Sequence, residues 1–160
     1  MNYKKRLALI CTLTVAFGLL GIRRNVHAQQ PQDSSYQAIS DKFFGLLQQG
    51  KPEEAMDYII GTGPALREIP EETDPLKIKF TAAVNKMGPY VARAKLTDST
   101  VTGLFVYQHY FVAYARQPIS IRIKYYKPSK VWICQGIQFD ADVSEFIQKA
   151  ADAKFSGDFK

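Results

Sequence analysis

The most regular stretch of this chain is PISIRIKYYK at residues 118–127, in which apolar and polar side chains alternate. An alternation with a period of two is typical of a β-strand that buries one face and exposes the other. Outward from it, stretches rich in β-branched and aromatic residues predict further strands over residues 90–96, 101–115 and 131–139. The polar triplet at residues 97–99 is expected to form the turn between the first two strands.

Short turns between the later strands are expected to set their pairing. We predict Tyr114 opposite Ile119 across one turn, and Tyr125 opposite Trp132 across the next. With these pairings, one face of the sheet collects mostly apolar side chains: Leu104, Val106, Gln108, Tyr110, Val112, Tyr114, Ile119, Ile121, Ile123, Tyr125, Trp132 and Cys134. We expect helices to cover this face, because apolar surface is driven out of water.

Helix signals lie on both sides of the strands. An amphipathic segment ends at Gly50, and Pro52 begins a second one. The pair Asp74-Pro75 is expected to begin a third helix, and Asp142 to cap a last one. This order predicts an α+β fold, with N-terminal helices packed on one face of a curved, twisted antiparallel sheet of about four strands and a C-terminal helix.

The N-terminal segment has the pattern of a signal peptide. A basic start is followed by an apolar run over residues 7–22, and small or aliphatic residues precede a cleavage site after Ala28. A retained membrane anchor is the alternative, but the apolar run of sixteen residues is shorter than the roughly 20 that span a bilayer. We therefore expect a signal peptide over residues 1–28 and export to the periplasm or the exterior.

The net charge depends on this segment. The whole chain of 160 residues carries a formal charge of +6, which would suggest a nucleic acid or an anionic membrane as partner. Loss of residues 1–28 removes five basic residues and no acidic one, and this leaves +1. We expect no nucleic-acid partner and, after cleavage, no membrane partner. The remainder is predicted as a polar leader (29–33), a single domain (34–155) and a frayed tail (156–160).

Few residues of the mature chain have the types that metals and cofactors need. His109 is its single histidine and Cys134 its single cysteine, so we predict no metal site. Residues 45–51 have nearly the spacing of a phosphate-binding loop, but they close a helix and do not follow a strand. We therefore expect no cofactor, and we assign no catalytic residue.

Aromatic residues are the distinctive feature of the predicted sheet. On the helix-facing side, several aromatic side chains end in a hydroxyl or indole N–H group. Each of these groups needs a hydrogen-bond partner when it is buried, which suggests a ligand pocket. The pocket candidates are Gln108, Tyr110, Tyr114, Tyr125, Trp132 and Cys134. An aromatic-rich core is the alternative. The opposite face is too apolar to lie open to water, which predicts a sheet-to-sheet homodimer through Phe105, Tyr107, Phe111, Arg122, Tyr126 and Ile133.

Two segments carry a resemblance to a known family. They are GKPEEA at residues 50–55, between two amphipathic helices, and YYKPSKVW at residues 125–132, within long hairpin strands. Over residues 34–141 the order of elements resembles small exported proteins of the nuclear transport factor 2-like (cystatin-like α+β cone) superfamily. The resemblance implies either an enzyme similar to ketosteroid isomerase or scytalone dehydratase, or a non-enzymatic binding or dimerising domain. The catalytic Asp, Tyr and His positions of these enzymes cannot be matched residue by residue to this sequence, so none is carried over.

These observations predict an exported, non-enzymatic domain that binds a small apolar or aromatic ligand, or a protein partner, through an aromatic-lined cavity of the sheet. An isomerase, dehydratase or cyclase that uses the same cavity is one alternative. A purely structural dimerisation domain is another. An acidic residue or a histidine projecting into the cavity beside Tyr110 or Tyr125 would favour the enzyme, because such chemistry needs an enclosed acid or base.

Overall fold

Helices precede the strands along the chain, and the predicted α+β class is confirmed. The computed structural model describes residues 35–157. Its elements are α1 (Tyr36–Gln48), α2 (Pro52–Gly61), α3 (Pro64–Arg67), α4 (Pro70–Met87), β1 (Tyr90–Val101), β2 (Phe105–Tyr114), β3 (Ile119–Tyr126), β4 (Ile133–Asp140) and α5 (Ser144–Gly157). The predicted signal peptide, its cleavage site and the polar leader lie outside the described residues. Helix α5 extends two residues beyond the predicted end of the domain at 155.

The first two helices form a hairpin whose ends follow the sequence signals. The Ser35 hydroxyl accepts a hydrogen bond from the Ala38 N–H (3.1 Å) and caps α1. At the other end, Gly50 has φ +74°, a left-handed conformation that glycine adopts without steric cost. Its N–H donates to the Leu47 carbonyl (3.0 Å), which closes the helix. Pro52 then occupies the start of α2, where its missing N–H costs nothing.

Helix α4 begins earlier than predicted. It starts at Pro70 rather than at Asp74-Pro75, and Pro75 lies inside it. Glu71 and Glu72 stand in the first turn, where the helix dipole favours negative charge. Pro75 has no backbone N–H, so α4 lacks one hydrogen bond near its start. The helix nevertheless continues beyond Pro75 to Met87.

The first strand is also longer than predicted. Residues 97–99 belong to β1, and the chain reverses instead at Thr102 and Gly103, with φ of +56° and +69°. Asp98 stays in the strand because its carboxylate accepts hydrogen bonds from Lys95 Nζ and Gln108 Nε2. An irregularity between Lys95 and Thr97 shifts the pairing of β1 with β2.

The four strands form one open antiparallel sheet in the order β1-β2-β3-β4. Ile119 lies opposite Val112, not Tyr114, and Tyr125 lies opposite Cys134, not Trp132. Both predicted pairings are wrong by two residues, because the connecting loops are longer than two-residue turns. A shift by two leaves the side chains of β2 and β3, and of β4 as far as Cys134, on the face where they were expected. An irregularity at Lys124 and Tyr125 shifts the rest of β4 by one further residue, which puts Ile137 on the buried face opposite Ile123.

The helix-facing side of the sheet is the core that the sequence predicts, with one exception. Leu104 lies in the turn between β1 and β2 and is 46% exposed. The other eleven residues of that set are buried. The helices contribute the opposing layer: Ile39, Phe43, Phe44, Leu47, Ala55, Met56, Ile59, Phe80, Val84 and Met87.

Candidate functional site

Most of the predicted pocket residues lie in the core and are hydrogen-bonded there. Gln108 and Tyr125 are fully buried. The Ser40 hydroxyl of α1 donates to Gln108 Oε1 (2.5 Å) and accepts from the Tyr125 hydroxyl at 2.6 Å. Gln108 Nε2 donates in turn to the Asp98 carboxylate (3.2 Å). Because these polar tips have partners within the protein, this part of the sheet fits the alternative of an aromatic-rich core.

Ser40 is not among the predicted pocket residues, although the sequence carries a signal for it. Ser40 follows Tyr36 by four positions and precedes Phe43 by three, so it stands on the apolar stripe of α1. A serine on a stripe that is otherwise apolar must find a buried partner. Its partners lie 68 and 85 residues away in the chain, and only the folded chain identifies them.

Aromatic rings and a thiol fill the rest of this region. Tyr36 lies edge-on to Trp132, with ring centroids 5.1 Å apart, and is tilted against Tyr125 at 5.9 Å. Burial raises the pKa of the Cys134 thiol to about 12, so it stays protonated and unreactive at neutral pH. Burial also raises the pKa of the Tyr125 hydroxyl. These groups are uncharged.

Asp98 is hydrogen-bonded to this cluster and forms an ion pair. Asp98 reaches Gln108, but its carboxylate also pairs with Lys95 Nζ at 2.5 Å. Asp98 Oδ2 accepts both contacts, so this carboxylate is held by two donors rather than free beside Tyr125. The geometry around Tyr125 therefore offers little support for the enzyme alternative.

Tyr114, another of the predicted pocket residues, has a different environment. Its side chain is 6% exposed, and its hydroxyl is buried without a hydrogen-bond partner among the described residues. The Tyr90 ring lies edge-on to it, with ring centroids 5.8 Å apart. Burial raises the pKa of both phenols, so each is a protonated donor at neutral pH.

The Tyr114 ring forms part of the wall of a cleft of about 350 Å³. We call it the Tyr114 cleft. It lies where the ends of α1 and α4 meet the starts of α2 and β1 and the end of β2, and its walls are Leu47, Gln48, Gln49, Gly50, Pro52, Val84, Asn85, Gly88, Pro89, Tyr90 and Tyr114. Gly50 and Gly88 have positive φ, +74° and +84°, and turn the chain away from the two helix ends.

A second cleft lies on the opposite face of the sheet, beneath α5. Phe146 of α5 lies edge-on to His109, with ring centroids 5.2 Å apart, and 6.4 Å from the Phe111 ring. The cleft has a volume of about 300 Å³. We call it the α5 cleft, and its walls are His109, Ser120, Arg122, Asp140, Asp142, Glu145, Phe146 and Lys149.

His109 is half-buried in the α5 cleft. It lies opposite Arg122 rather than Lys124, which the predicted register placed there, and its Nε2 is 2.7 Å from the Ser120 hydroxyl. Burial and, to a smaller extent, the Arg122 charge lower the pKa of His109. The imidazole is therefore neutral at neutral pH.

Helix α5 divides the predicted dimer face. Phe111 and Arg122 lie beside the helix. At the other end of this face, Phe105 is 39% exposed and stacks on Tyr126, with ring centroids 4.6 Å apart and an interplanar angle of 18°. Tyr107 and Ile133 are half-buried. We call Phe105, Tyr107, Tyr126 and Ile133 the outer patch.

Comparisons with known proteins leave the family open. The chain has no significant match to any protein-family model, curated protein or solved structure. Membership of the nuclear transport factor 2-like superfamily therefore stays a prediction. Among the described residues, no helix is long and apolar enough to cross a membrane. Within residues 35–157, no group of three or more histidine, cysteine or acidic side chains is placed to hold a metal ion.

Proposed function

We propose that this chain is a small non-enzymatic binding domain that holds an aromatic or apolar molecule in the Tyr114 cleft. The observation that carries the proposal is the Tyr114 hydroxyl, a buried donor without a partner among the described residues. Leaving such a group unpaired costs about 1–3 kcal/mol, which a ligand with a hydrogen-bond acceptor would recover. The hydroxyl thus selects for a ligand that is apolar but carries a carbonyl or a similar acceptor.

The size and walls of the cleft agree with this ligand class. A volume of about 350 Å³ is near the lower end of the range for small-molecule sites. Leu47, Val84 and Pro89 provide apolar surface, while Asn85 provides a polar group at the exposed side. Gln48 and Gln49 add further polar groups, so the cleft offers both apolar and polar surface to an apolar molecule that carries an acceptor.

A titration with acetophenone, an aromatic ketone, tests the proposal. We expect this probe to shift the amide resonances of residues 48–50 and 88–90 in ¹⁵N-labelled protein. The substitution Tyr114→Phe removes only the hydroxyl, so we expect the protein to stay folded and to bind the probe about fivefold more weakly, as loss of one hydrogen bond implies. Tyr107→Phe, the same change in the outer patch, is the control. Equal binding by the wild type and Tyr114→Phe would contradict the proposal.

A second candidate function is self-association through the outer patch. The supporting observation is the exposed Phe105 ring stacked on Tyr126, at the end of the sheet away from the contacts of Phe146. Large exposed aromatic patches often mark interaction surfaces. The expected partner is a second copy of this chain, because the same patch on two copies can pair across a two-fold axis.

Export and family are part of the same proposal. The support for export is the pattern of residues 1–28, and the support for the nuclear transport factor 2-like superfamily is the order of helices and hairpin strands. A binding domain in an oxidising compartment with a single, buried cysteine forms no internal disulfide. Its stability would come from the packed core.

A further inference from the structure

Arg122 in the α5 cleft makes no ion pair among the described residues. It lies on β3, is half-buried, and its Nε–H is buried with no hydrogen-bond partner among the described residues. An arginine stays charged at any pH that a folded protein tolerates. A buried guanidinium donor therefore needs an acceptor, preferably an anionic one.

The acidic residues of the cleft form no ion pair with Arg122. Asp140 Oδ1 accepts from the Asp142 N–H (3.0 Å), and Asp142 Oδ1 accepts from the Ser144 N–H (3.0 Å). Glu145 pairs with Lys149 at 2.6 Å. None of the ion pairs among the described residues includes Arg122.

These acidic groups also lie at the exposed rim, where solvent and salt screen their charges. The buried Arg122 Nε–H is screened far less, so we expect an anion to be attracted more strongly by Arg122 than it is repelled by any one of the rim carboxylates.

The other wall residues indicate what the uncharged part of a ligand would contact. The Phe146 ring offers an apolar surface beside the neutral His109 imidazole. The Ser120 hydroxyl, hydrogen-bonded to His109, is a further polar contact on the floor of the cleft. A volume of about 300 Å³ admits a molecule of the size of one substituted ring.

We propose that the α5 cleft is a binding site for a small aromatic or apolar carboxylate, whose anionic group pairs with Arg122 and whose apolar body packs on Phe146. This site is on the opposite face of the sheet from the Tyr114 cleft and is independent of it. The carboxylate supplies the two acceptor oxygens that a guanidinium fork matches.

Benzoate is the probe for this site, with benzyl alcohol and benzylamine as neutral and cationic compounds of similar shape. In ¹⁵N-labelled protein we expect benzoate to shift the amide resonances of His109, Arg122 and Phe146 at concentrations up to about 20 mM, the range for weak small ligands. The two other compounds should bind more weakly. Failure of benzoate to shift these resonances, or tighter binding of benzylamine, would overturn the proposal.

Two substitutions locate the charge that matters. Arg122→Gln should weaken benzoate binding about tenfold or more, as expected for loss of a charge-assisted pair. Lys124→Gln removes the same charge two residues along the same strand, at an exposed position, and should leave binding nearly unchanged. Equal effects of the two substitutions would show that only the general positive charge attracts the probe, and would refute the site.

Two further variants keep the test decisive. If Arg122→Gln does not fold, Arg122→Lys retains the charge but loses the planar fork, and should still weaken binding measurably. Tyr114→Phe should leave the benzoate shifts at Arg122 and Phe146 unchanged, so the two proposed sites can fail separately. Unchanged benzoate affinity in Arg122→Lys would count against the proposed bidentate contact.

Discussion

Ser40 shows how much one small side chain contributes to this fold. It is 1% exposed, and its hydroxyl joins α1 to Gln108 of β2 and Tyr125 of β3. The identities of Gln108 and Tyr125 as buried residues follow from the alternation of the strands. Their partner does not, because the hydrogen bonds connect residues far apart in the chain. The polar tips that suggested a pocket in the sequence are largely satisfied by this single hydroxyl.

The substitution Ser40→Ala should lower the free energy of unfolding by about 2–3 kcal/mol, because it leaves a buried amide oxygen and a buried phenol without a partner. Urea unfolding followed by circular dichroism measures this as a lower midpoint with an unchanged slope. Ser99→Ala, at an exposed position of β1, is the control and should change stability by less than about 0.5 kcal/mol. A midpoint equal to that of the control would show that the network contributes no stability.

At the scale of elements, the connection between α2 and α3 packs closely against the backbone of β4. The chain passes from α2 to α3 through Thr62 and Gly63, and the structure shows why residue 63 is a glycine. A Cβ atom at Gly63 would collide with the backbone carbonyl oxygen of Cys134 on β4. Backbone atoms cannot move aside as a flexible side chain can. A Cβ at Gly61, by contrast, would meet nothing within 4 Å.

Gly63→Ala should therefore destabilise the protein by about 1–3 kcal/mol, the usual range for overpacking. Gly61→Ala should be neutral or stabilise by up to about 1 kcal/mol, because alanine favours the helix. Thermal unfolding of the two variants side by side measures the difference. Equal melting temperatures would mean that the close contact between Gly63 and β4 does not affect the stability of the protein.

Register is the other property decided at this scale. The sequence predicts the faces of β2 and β3, and of β4 as far as Cys134, because alternation is a local property of the strand. The pairings are wrong by two residues, since they depend on loop lengths that composition does not determine. The turn between β1 and β2 was also misplaced, because Asp98 finds partners in Lys95 and Gln108 that hold it in the strand.

At the scale of the whole molecule, α5 determines how much of the outer sheet face remains free. Its Phe146 contacts His109 and Phe111, which leaves the outer patch as the surface for association. The predicted six-residue dimer face is thereby reduced to Phe105, Tyr107, Tyr126 and Ile133. A smaller apolar surface implies weaker association.

We expect sedimentation velocity to show a monomer–dimer equilibrium at about 10–100 µM, the range of micromolar affinities. Phe105→Ser should shift the protein to monomer, because it removes the most exposed ring of the outer patch. Ile78→Ser, which removes an apolar side chain that is 67% exposed on α4, is the control and should leave the equilibrium unchanged. A wild-type protein that sediments as a monomer throughout this range would rule out the dimer.

The sequence by itself determined the fold class, the helix-facing side of the sheet and most of the core, because periodicity and capping act between residues close in the chain. It also singled out Tyr114, though among five other residues of similar character. Only the tertiary structure separated them: Gln108 and Tyr125 are satisfied by Ser40, whereas the Tyr114 hydroxyl faces no partner among the described residues. Likewise, only the folded chain brings α5 over Arg122. Both clefts arise where distant segments meet, and the space between packed elements is not a property of any one of them.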